Sequence, residues 1–398
     1  MRLKVDKIRK DFSILKKNIV YFDNSCMTLR PKQVVEAINR YYYEFPACAG
    51  RSMHRLGNKT TTEVSFARNT IRNFINAKRK EEIIFTKNTT EAINLVAKSF
   101  KFKKGDKVLI TDKEHNSNLL SWQLLADKGI IKLEVLDSNE DNTFNIEDFE
   151  KKVKDARLTA IVHTSNLDGV TNPVKEIIKI SHKNNSLVFL DAAQSIPHHH
   201  LNVKKLDVDF LAFSGHKMLG PSGIGALYGK KVLLEELNPF IVGGETVKDT
   251  TFKKRTWEEI PERFEAGLQN YAGIIGFAEA AKYLQKIGMK NIEKHETKLT
   301  LQLTDGLQKF ENIKIIGPKA EKRGGITSFN LKKMDSHQVA LLLDNSADIM
   351  VRSGAHCVHS WFNKHKLQGS VRASLYIYNT EQEVELFIEE IKKINRII

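Results

Sequence analysis

The chain has 398 residues, of which 41% are hydrophobic and 28% are charged, and its formal net charge at pH 7 is +15. This balance is ordinary for a globular protein, and no stretch approaches the roughly 20 apolar residues that cross a bilayer. The N-terminus MRLKVDKIRKDF lacks the apolar core of a signal peptide, so we expect a cytoplasmic protein without a membrane partner. Lysine pairs recur along most of the chain, which favours a solvated basic surface over nucleic-acid binding.

The three cysteines are Cys26, Cys48 and Cys357, and they form no CxxC pair. They are too few and too scattered for a disulfide framework or a structural zinc site, so we expect no metal. The set leaves room for one reactive thiol, although a small buried hydrophobe is the ordinary role of any single cysteine.

Short apolar runs alternate with helical patterns such as TEAINLVAKSF and VKEIIKISHKNN. This alternation predicts an α/β fold with a mainly parallel central sheet covered by helices on both faces. The predicted strands span residues 81–86, 107–111, 131–136, 158–164, 187–192, 210–215 and 223–229.

A long helical pattern over residues 271–310 follows these strands, and shorter strand and helix patterns come after it. We interpret the C-terminal part as a smaller α+β unit and place the boundary near residue 285. The prediction is a large α/β domain over 15–285 and a small domain over 286–398. Residues 1–14 are expected to pack with the small domain.

Polar residues follow the first two predicted strands. In such sheets ligands bind beyond the carboxyl ends of the strands. Asn88, Thr89 and Thr90 would open a helix whose N–H groups and hydroxyls can hold an anion. His115 follows the next strand. Each signal is weak alone, because such helix caps are common and a lone histidine is more often structural.

A carboxylate and a lysine occupy the ends of two later strands. Asp191 needs a cationic partner there, with Gln194 three residues on. Ser214, His216 and Lys217 belong to FSGHK, and a poorly solvated lysine has the lowered pKa that suits a Schiff base with an aldehyde. An amine, an acid, an aromatic ring and phosphate donors together describe a site for pyridoxal 5′-phosphate (PLP).

Segments spread along nearly the whole chain match a known family. They are YFDNSCMTLRP, TTEAINLV, EHNSN, HTSNLDGVTNPV, FLDAAQS, FSGHKMLGPSGIG, RFEAGLQN, RSGAHC and VRASLYIYN. With these motifs the chain resembles the class V enzymes of PLP fold type I, and among them the type II (SufS-like) cysteine desulfurases and selenocysteine lyases. The SGHK and RSGAHC elements at this separation make the resemblance specific.

The resemblance implies a role for each matching residue. Lys217 would bind the cofactor aldehyde, Asp191 would pair with the pyridinium nitrogen, and Arg372 would hold the substrate carboxylate as a bidentate fork. The remaining cofactor and substrate contacts would be Gln194 at the ring hydroxyl, His115 stacked on the ring, Asn166 near the substrate or ring oxygen, Thr90, Ser214 and His216 at the phosphate beside Thr89, and Arg352 near the substrate.

Cys357 of RSGAHC matches the family's sulfur-accepting cysteine. Its interval to Arg372 fits the compact loop of the type II branch. We expect Arg352, His356 and His359 to favour the thiolate, which is the reactive form. Lys217, Cys357 and His115 are therefore the predicted catalytic residues.

The implied reaction converts L-cysteine to L-alanine and leaves the sulfur on Cys357 as a persulfide. By resemblance, the chain is a homodimer that passes sulfur to a SufE- or SufU-like acceptor protein for iron–sulfur cluster assembly. Three alternatives stay open: a selenocysteine lyase using the same residues, a class V aminotransferase, epimerase or kynureninase-like lyase with Cys357 incidental, and a nucleic-acid-binding protein with vestigial PLP chemistry.

Two positions depart from the family pattern. Leu268 stands where relatives commonly carry a threonine that reaches the partner subunit's cofactor phosphate. Cys26 stands where a small inert residue is usual. Cys26 is either a packing residue or a second thiol that can receive sulfur from Cys357 or be oxidised with it.

Overall fold

The computed structural model describes residues 3–397. Its strands are β1 (Val20–Tyr21), β2 (Ile83–Thr86), β3 (Asp106–Thr111), β4 (Ile131–Leu136), β5 (Ala156–Val162), β6 (Leu187–Asp191), β7 (Phe210–Ser214), β8 (Gly225–Gly229), β9 (Val247–Thr250), β10 (Arg255–Trp257), β11 (Ile313–Ile316), β12 (Ile326–Leu331), β13 (Ile349–Met350), β14 (Arg352–Gly354) and β15 (Ser370–Ser374). Its α-helices are α1 (Val5–Arg9), α2 (Lys32–Glu44), α3 (Arg55–Phe74), α4 (Thr89–Ser99), α5 (Asn116–Asp127), α6 (Ile146–Lys152), α7 (Val174–Lys183), α8 (Val203–Leu206), α9 (Lys231–Glu236), α10 (Tyr271–Ile287), α11 (Met289–Leu307), α12 (Ser336–Ala347), α13 (His359–Lys364) and α14 (Glu381–Asn395).

Within the described residues, a seven-stranded sheet has the order β2-β8-β7-β6-β5-β3-β4. Strands β3 to β7 pair in parallel, whereas β8 runs antiparallel to both β2 and β7. The predicted α/β fold with a mainly parallel central sheet is confirmed. The first predicted strand is shorter than expected, because residues 80–82 form a 3-10 turn before Ile83.

Separate apolar cores cover the two faces of this sheet. Along β7, Leu211 and Phe213 pack into one core, and Phe210 and Ala212 pack into the other. Successive strand side chains point to opposite faces, so a strand buried on both sides must be apolar throughout. In β7 the polar side chain comes at the end of the strand, at Ser214.

A second, antiparallel sheet has the order β11-β12-β15-β14 and lies over a third core. The N-terminal part of the chain contacts this unit as well. Strand β1 pairs with β13 through Val20 and Ile349, and Arg9 Nη1 binds Glu383 Oε1 of α14 at 2.6 Å. Phe12, by contrast, packs in the core of the large sheet. The division into domains 15–285 and 286–398 stays a prediction, as does the packing of residues 1–14 with the small domain. Residues 1, 2 and 398 lie outside the described part.

Among residues 3–397, no helix combines the length and the apolar composition that crossing a membrane requires.

Candidate active site

A cavity of about 220 Å³ lies where β5, β6 and β7 end at Val162, Asp191 and Ser214. The structure brings every predicted site residue to its wall. These are Thr89, Thr90, His115, Asn166, Asp191, Gln194, Ser214, His216, Lys217, Arg352, Cys357 and Arg372. Residues far apart in the sequence thus meet at one edge of the sheet.

Lys217 ends a 3-10 turn that directly follows β7. Burial lowers the pKa of its ammonium group, which nearby Asp191 opposes and Arg372 reinforces. Within the described chain the Lys217 side chain makes no hydrogen bond or ion pair. The backbone around this turn is tightly packed: a Cβ atom on Gly225 would lie 2.6 Å from the oxygen of Phe213, so only glycine fits there.

Asp191 and Gln194 lie on the wall near Lys217. Asp191 Oδ1 accepts a hydrogen bond from Ala193 N at 3.0 Å, and burial raises the pKa of its carboxyl group. Gln194 Nε2 donates to the oxygen of Ser25 at 2.6 Å, which leaves the buried Oε1 without a hydrogen-bond partner in the described chain. A buried acceptor left unpaired costs about 1–3 kcal/mol, so this site suits a ligand that brings a donor.

His115 is the N-cap of helix α5, and its Nδ1 accepts a hydrogen bond from Ser117 N at 3.1 Å. Burial, together with nearby Lys217 and Arg372, lowers the pKa of His115 to about 3. The imidazole is therefore neutral at pH 7, and its proton is on Nε2 because Nδ1 is the acceptor.

Hydroxyl groups gather at the N-terminus of helix α4. Ser214 Oγ accepts a hydrogen bond from Thr89 N at 2.9 Å, and Thr90 Oγ1 lies 2.7 Å from Ser117 Oγ. Burial lowers the pKa of His216 to about 4, helped by Lys217, so His216 is neutral and offers a hydrogen bond. Hydroxyls beside the positive end of a helix dipole suit a phosphate group.

Cys357 lies in the loop between β14 and α13. His356 and Cys357 both have left-handed backbone conformations, with φ of 49° and 59°. This region is uncommon for residues with side chains and costs roughly 1–2 kcal/mol each. Two hydrogen bonds hold the turn: Asn116 N donates to the Cys357 oxygen and Asn166 Nδ2 donates to the His356 oxygen, both at 2.7 Å.

We expected His356 to favour the Cys357 thiolate, but it carries no positive charge at pH 7 with which to do so. Burial lowers the pKa of His356 to about 2, with Arg372 and Arg352 adding to the effect, and its Nε2 lies 2.8 Å from Ser370 Oγ. The imidazole is therefore a neutral support of the loop. Arg352 directs its guanidinium at another thiol, because Nη1 donates to Cys26 Sγ at 3.4 Å.

Arg372 crosses the floor of the site from β15 and is 3% exposed. Its Nη1 donates to the Asn166 oxygen at 3.0 Å, and its Nη2 lies 3.5 Å from Asp23 Oδ1. Its Nε is buried with no hydrogen-bond partner in the described chain. A buried guanidinium with a spare donor suits a carboxylate ligand.

The cavity wall also contains residues that the sequence reasoning did not select, namely Ser25, Ser117, Val162 and Ala193. Ser117 and Ala193 each lie two residues beyond a predicted site residue, so a wider window after each strand would have found them. Ser25 gave no such signal, because its place depends on a hydrogen bond from its amide to Ser374 Oγ, far along the chain.

A lysine and an acid at adjacent strand ends of a mainly parallel sheet are the arrangement expected of a PLP enzyme of fold type I. The aminotransferase class-V family model matches residues 20–387, and the chain belongs to this family. The cofactor of the family is PLP, so the predicted fold type and cofactor are confirmed.

Two relatives and one solved structure narrow the class further. The chain is 44% identical to a probable cysteine desulfurase of Pyrococcus abyssi, over 98% of this chain and 96% of that protein. It is 38% identical to a cysteine desulfurase of Haloferax volcanii, over 97% of this chain and 96% of the relative. The solved apo structure of a cysteine desulfurase from Thermococcus onnurineus superposes with a TM-score of 0.96 at 41% identity, covering 100% of this chain and 99% of that one. The resemblance to cysteine desulfurases is confirmed.

The described residues fit PLP. The unpartnered Gln194 Oε1 offers an acceptor for a ring hydroxyl, and the unpaired Lys217 offers an amine for the aldehyde. Asp191 offers a buried anion for a ring cation, and Ser214 and Thr89 offer phosphate donors. Among residues 3–397, no group of three or more histidine, cysteine, aspartate or glutamate side chains is placed to hold a metal ion.

Proposed function

We propose that this protein is a PLP-dependent cysteine desulfurase that converts L-cysteine to L-alanine and takes the sulfur onto Cys357. The observation that carries the proposal is that the unpaired amine of Lys217 and the thiol of Cys357 line the same cavity. An amine alone would serve any class V reaction. The thiol gives this site an acceptor for sulfur.

Lys217 and Asp191 would carry the proton and charge chemistry. Bound PLP withdraws electrons from the α-carbon of the substrate and thereby acidifies the α-proton. Lys217 would remove this proton as a neutral amine, because burial lowers its pKa. Asp191 would stabilise positive charge on the ring nitrogen. His115, neutral at pH 7, would cover the ring without adding charge.

Arg372 and Cys357 would act on the two ends of the substrate. Arg372 would hold the carboxylate with its fork of donors and so place the substrate sulfur toward Cys357. The Cys357 thiolate would attack that sulfur, so that an S–S bond forms and the carbon–sulfur bond breaks. The sulfur would stay on Cys357 as a persulfide, and the carbon skeleton would gain a proton and leave as alanine.

The proposal is tested by assaying alanine and sulfide from L-cysteine with a reductant for the wild type, Lys217→Ala and Cys357→Ser. Lys217→Ala should lose both products. Cys357→Ser should still change the cofactor spectrum on adding cysteine but release no sulfide. Cys48→Ser is the matched control, since Cys48 is exposed and outside the cavity wall.

Alanine formation by Cys357→Ser at the wild-type rate would contradict the sulfur-transfer role and favour a class V aminotransferase, epimerase or lyase. Parallel assays with L-selenocysteine decide between a desulfurase and a selenocysteine lyase. A protein that binds no PLP would overturn the whole proposal.

We also propose that the protein is a homodimer. Large apolar side chains are exposed on two neighbouring segments, with Met53 83% and Leu268 74% exposed in the single chain. Arg51 Nε lies 3.3 Å from Glu245 Oε1, and Gly267 N donates to the oxygen of the adjacent Gly244 at 2.8 Å, so the two segments are linked through this turn. A second copy is the occupant that would bury them. Equilibrium sedimentation should give twice the chain mass, and Met53→Asp should shift the mass toward that of one chain; a wild-type mass of one chain contradicts the dimer.

The persulfide on Cys357 needs a thiol to receive its sulfur. We propose a SufE- or SufU-like acceptor protein, an onward path to iron–sulfur clusters and a cytoplasmic location, as in the resembling desulfurases. The half-buried Cys357 supports delivery to a partner. Adding such an acceptor without small-molecule reductant should raise the rate of repeated alanine formation, and no acceleration by either kind contradicts this partner.

A further inference from the structure

Two of the three cysteines line the active-site cavity. Cys26 and Cys357 belong to its wall and Cys48 does not. Both thiols are partly accessible. Both also lie close enough to Lys217 to oppose the lowering of its pKa. The proposed desulfurase reaction uses only one of them.

The segment that carries Cys357 contacts Cys26 directly. Arg352 Nη1 donates to Cys26 Sγ at 3.4 Å, and the same strand leads five residues later to Cys357. This contact holds Cys26 Sγ beside the strand that leads to the sulfur-carrying loop.

The wall around Cys26 has unused polar groups. Ser25 Oγ and Arg372 Nε are buried with no hydrogen-bond partner in the described chain, and Ser25 and Arg372 are each 3% exposed. Arg372 Nε is assigned above to the substrate carboxylate, whereas Ser25 Oγ is available to hydrogen-bond an additional group on the neighbouring cysteine, such as the outer sulfur of a persulfide.

The Cys357 backbone is held by the hydrogen bonds from Asn116 and Asn166, so the thiol moves mainly by side-chain rotation. A persulfide lengthens that side chain by one S–S bond, roughly 2 Å. The outer sulfur of Cys357 therefore reaches further across the cavity than the bare thiol does.

We propose that Cys26 is a second sulfur-carrying thiol, which receives the outer sulfur from the Cys357 persulfide. This inference rests on the proposed function. The Cys26 thiolate attacks the outer sulfur, a new S–S bond forms at Cys26, and the old S–S bond breaks with Cys357 leaving as thiolate. The sulfur keeps its proton and its oxidation level, so no oxidant or reductant takes part.

The transfer frees Cys357 to accept sulfur from a second substrate molecule. Each chain then stores two sulfur atoms before it needs an outside acceptor. The PLP-loaded enzyme, given a few equivalents of L-cysteine without reductant, should form two alanines per chain. Peptide mapping after alkylation should find a persulfide on both Cys26 and Cys357.

The variants separate the two thiols. Cys26→Ala and Cys26→Ser should form one alanine per chain, with a persulfide on Cys357 alone, and this single turnover also shows that the variants are folded. Cys48→Ser should match the wild type. In Cys357→Ser, Cys26 should gain no sulfur from L-cysteine, because the donor of the transfer is missing.

Several outcomes overturn the relay while leaving the proposed function intact. One alanine per chain in the wild type does so, and so do two sulfurs found on Cys357 alone. A Cys26–Cys357 disulfide formed with release of sulfide also overturns it, since the inner sulfur was then attacked. No alanine from any form of the enzyme contradicts the desulfurase proposal itself.

Discussion

The two sides of the active-site cavity are built differently. On one side, Asp191 and Ser214 end neighbouring parallel strands, and apolar cores bury those strands on both faces. On the other side, Cys357 lies on a loop with two consecutive left-handed residues, and hydrogen bonds from Asn116 and Asn166 hold it.

The difference matches the two kinds of chemistry. Proton and charge transfer need groups fixed within a fraction of an ångström, and strand ends provide that precision. Sulfur must be collected at the substrate and then handed on, which a loop side chain can do. Substitutions on each side can therefore test whether the strand-end side acts through fixed charges and how far the thiol side depends on the contacts that hold its loop.

The largest effect is expected on the strand-end side. Asp191→Asn keeps the size of the side chain and an acceptor for Ala193 N, but it removes the negative charge. Alanine formation should fall by roughly 10²–10⁴-fold, the range typical of lost acid–base assistance. Cofactor content, measured on the same samples, separates lost chemistry from lost binding. A fully loaded variant with the wild-type rate would contradict the charge role of Asp191.

Arg372→Lys should weaken substrate binding. Lysine keeps the positive charge and loses the fork, and a charge-assisted hydrogen bond contributes about 1.5–3 kcal/mol, so KM for cysteine should rise about 10–100-fold. Arg352→Lys is the comparison variant and should raise KM less, since the Arg352 side chain is 46% exposed. An equal rise for the two variants would refute the assignment of Arg372 as the main carboxylate ligand.

Both sides should respond alike to acid, because each buries a neutral histidine. Burial lowers the pKa of His163, after β5, to about 3, and that of His356, in the thiol loop, to about 2. An unfolded histidine has a pKa near 6.5, so below that pH only the unfolded chain gains the proton. As the pH is lowered below about 6.5, the free energy of unfolding should therefore fall by roughly 1.4 kcal/mol per pH unit for each histidine.

Urea denaturation at several pH values measures how the free energy of unfolding depends on pH. A free energy of unfolding that decreases as the pH is raised toward about 6.5 would contradict the prediction. His163→Gln and His356→Gln should each remove the contribution of one histidine, so the dependence of the free energy of unfolding on pH should decrease by roughly 1.4 kcal/mol per pH unit in each variant. A slope unchanged in both variants would mean that other groups bind the protons.

The smallest effect concerns the helix that comes after the thiol. Lys364 of α13 lies 2.9 Å from Asp112 Oδ2 and 2.7 Å from Asp137 Oδ1, and its side chain is 44% exposed. Exposed ion pairs contribute about 0–1 kcal/mol, so Lys364→Met should lower the free energy of unfolding by no more than that. Amide exchange should quicken in the thiol segment. Lys366→Met is the control, because the described chain shows no ion pair at Lys366. A loss of several kcal/mol in Lys364→Met would contradict the small contribution expected of exposed ion pairs.

The strand-end side was predictable from the sequence, because apolar runs fix the strands, and parallel strands bring the residues after them together at one edge of the sheet. The thiol side was only partly predictable from the sequence. RSGAHC identified Cys357 through a resemblance, but the left-handed turn at His356 and the burial that makes it neutral depend on contacts with Ser370 and Asn166. The pairing of β1 with β13 was also missed, since two-residue strands carry no period.

The carboxylate of Asp23 affects which amino acids can bind at the substrate end of the site. Arg372 and Arg352 bring two positive charges to the substrate end, and the carboxylate of Asp23 lies within 3.5 Å and 3.9 Å of them. One positive charge is left over, which balances a single carboxylate. An acidic amino acid such as aspartate or glutamate would bring a second anion beside Asp23, so we expect it to bind less well than cysteine.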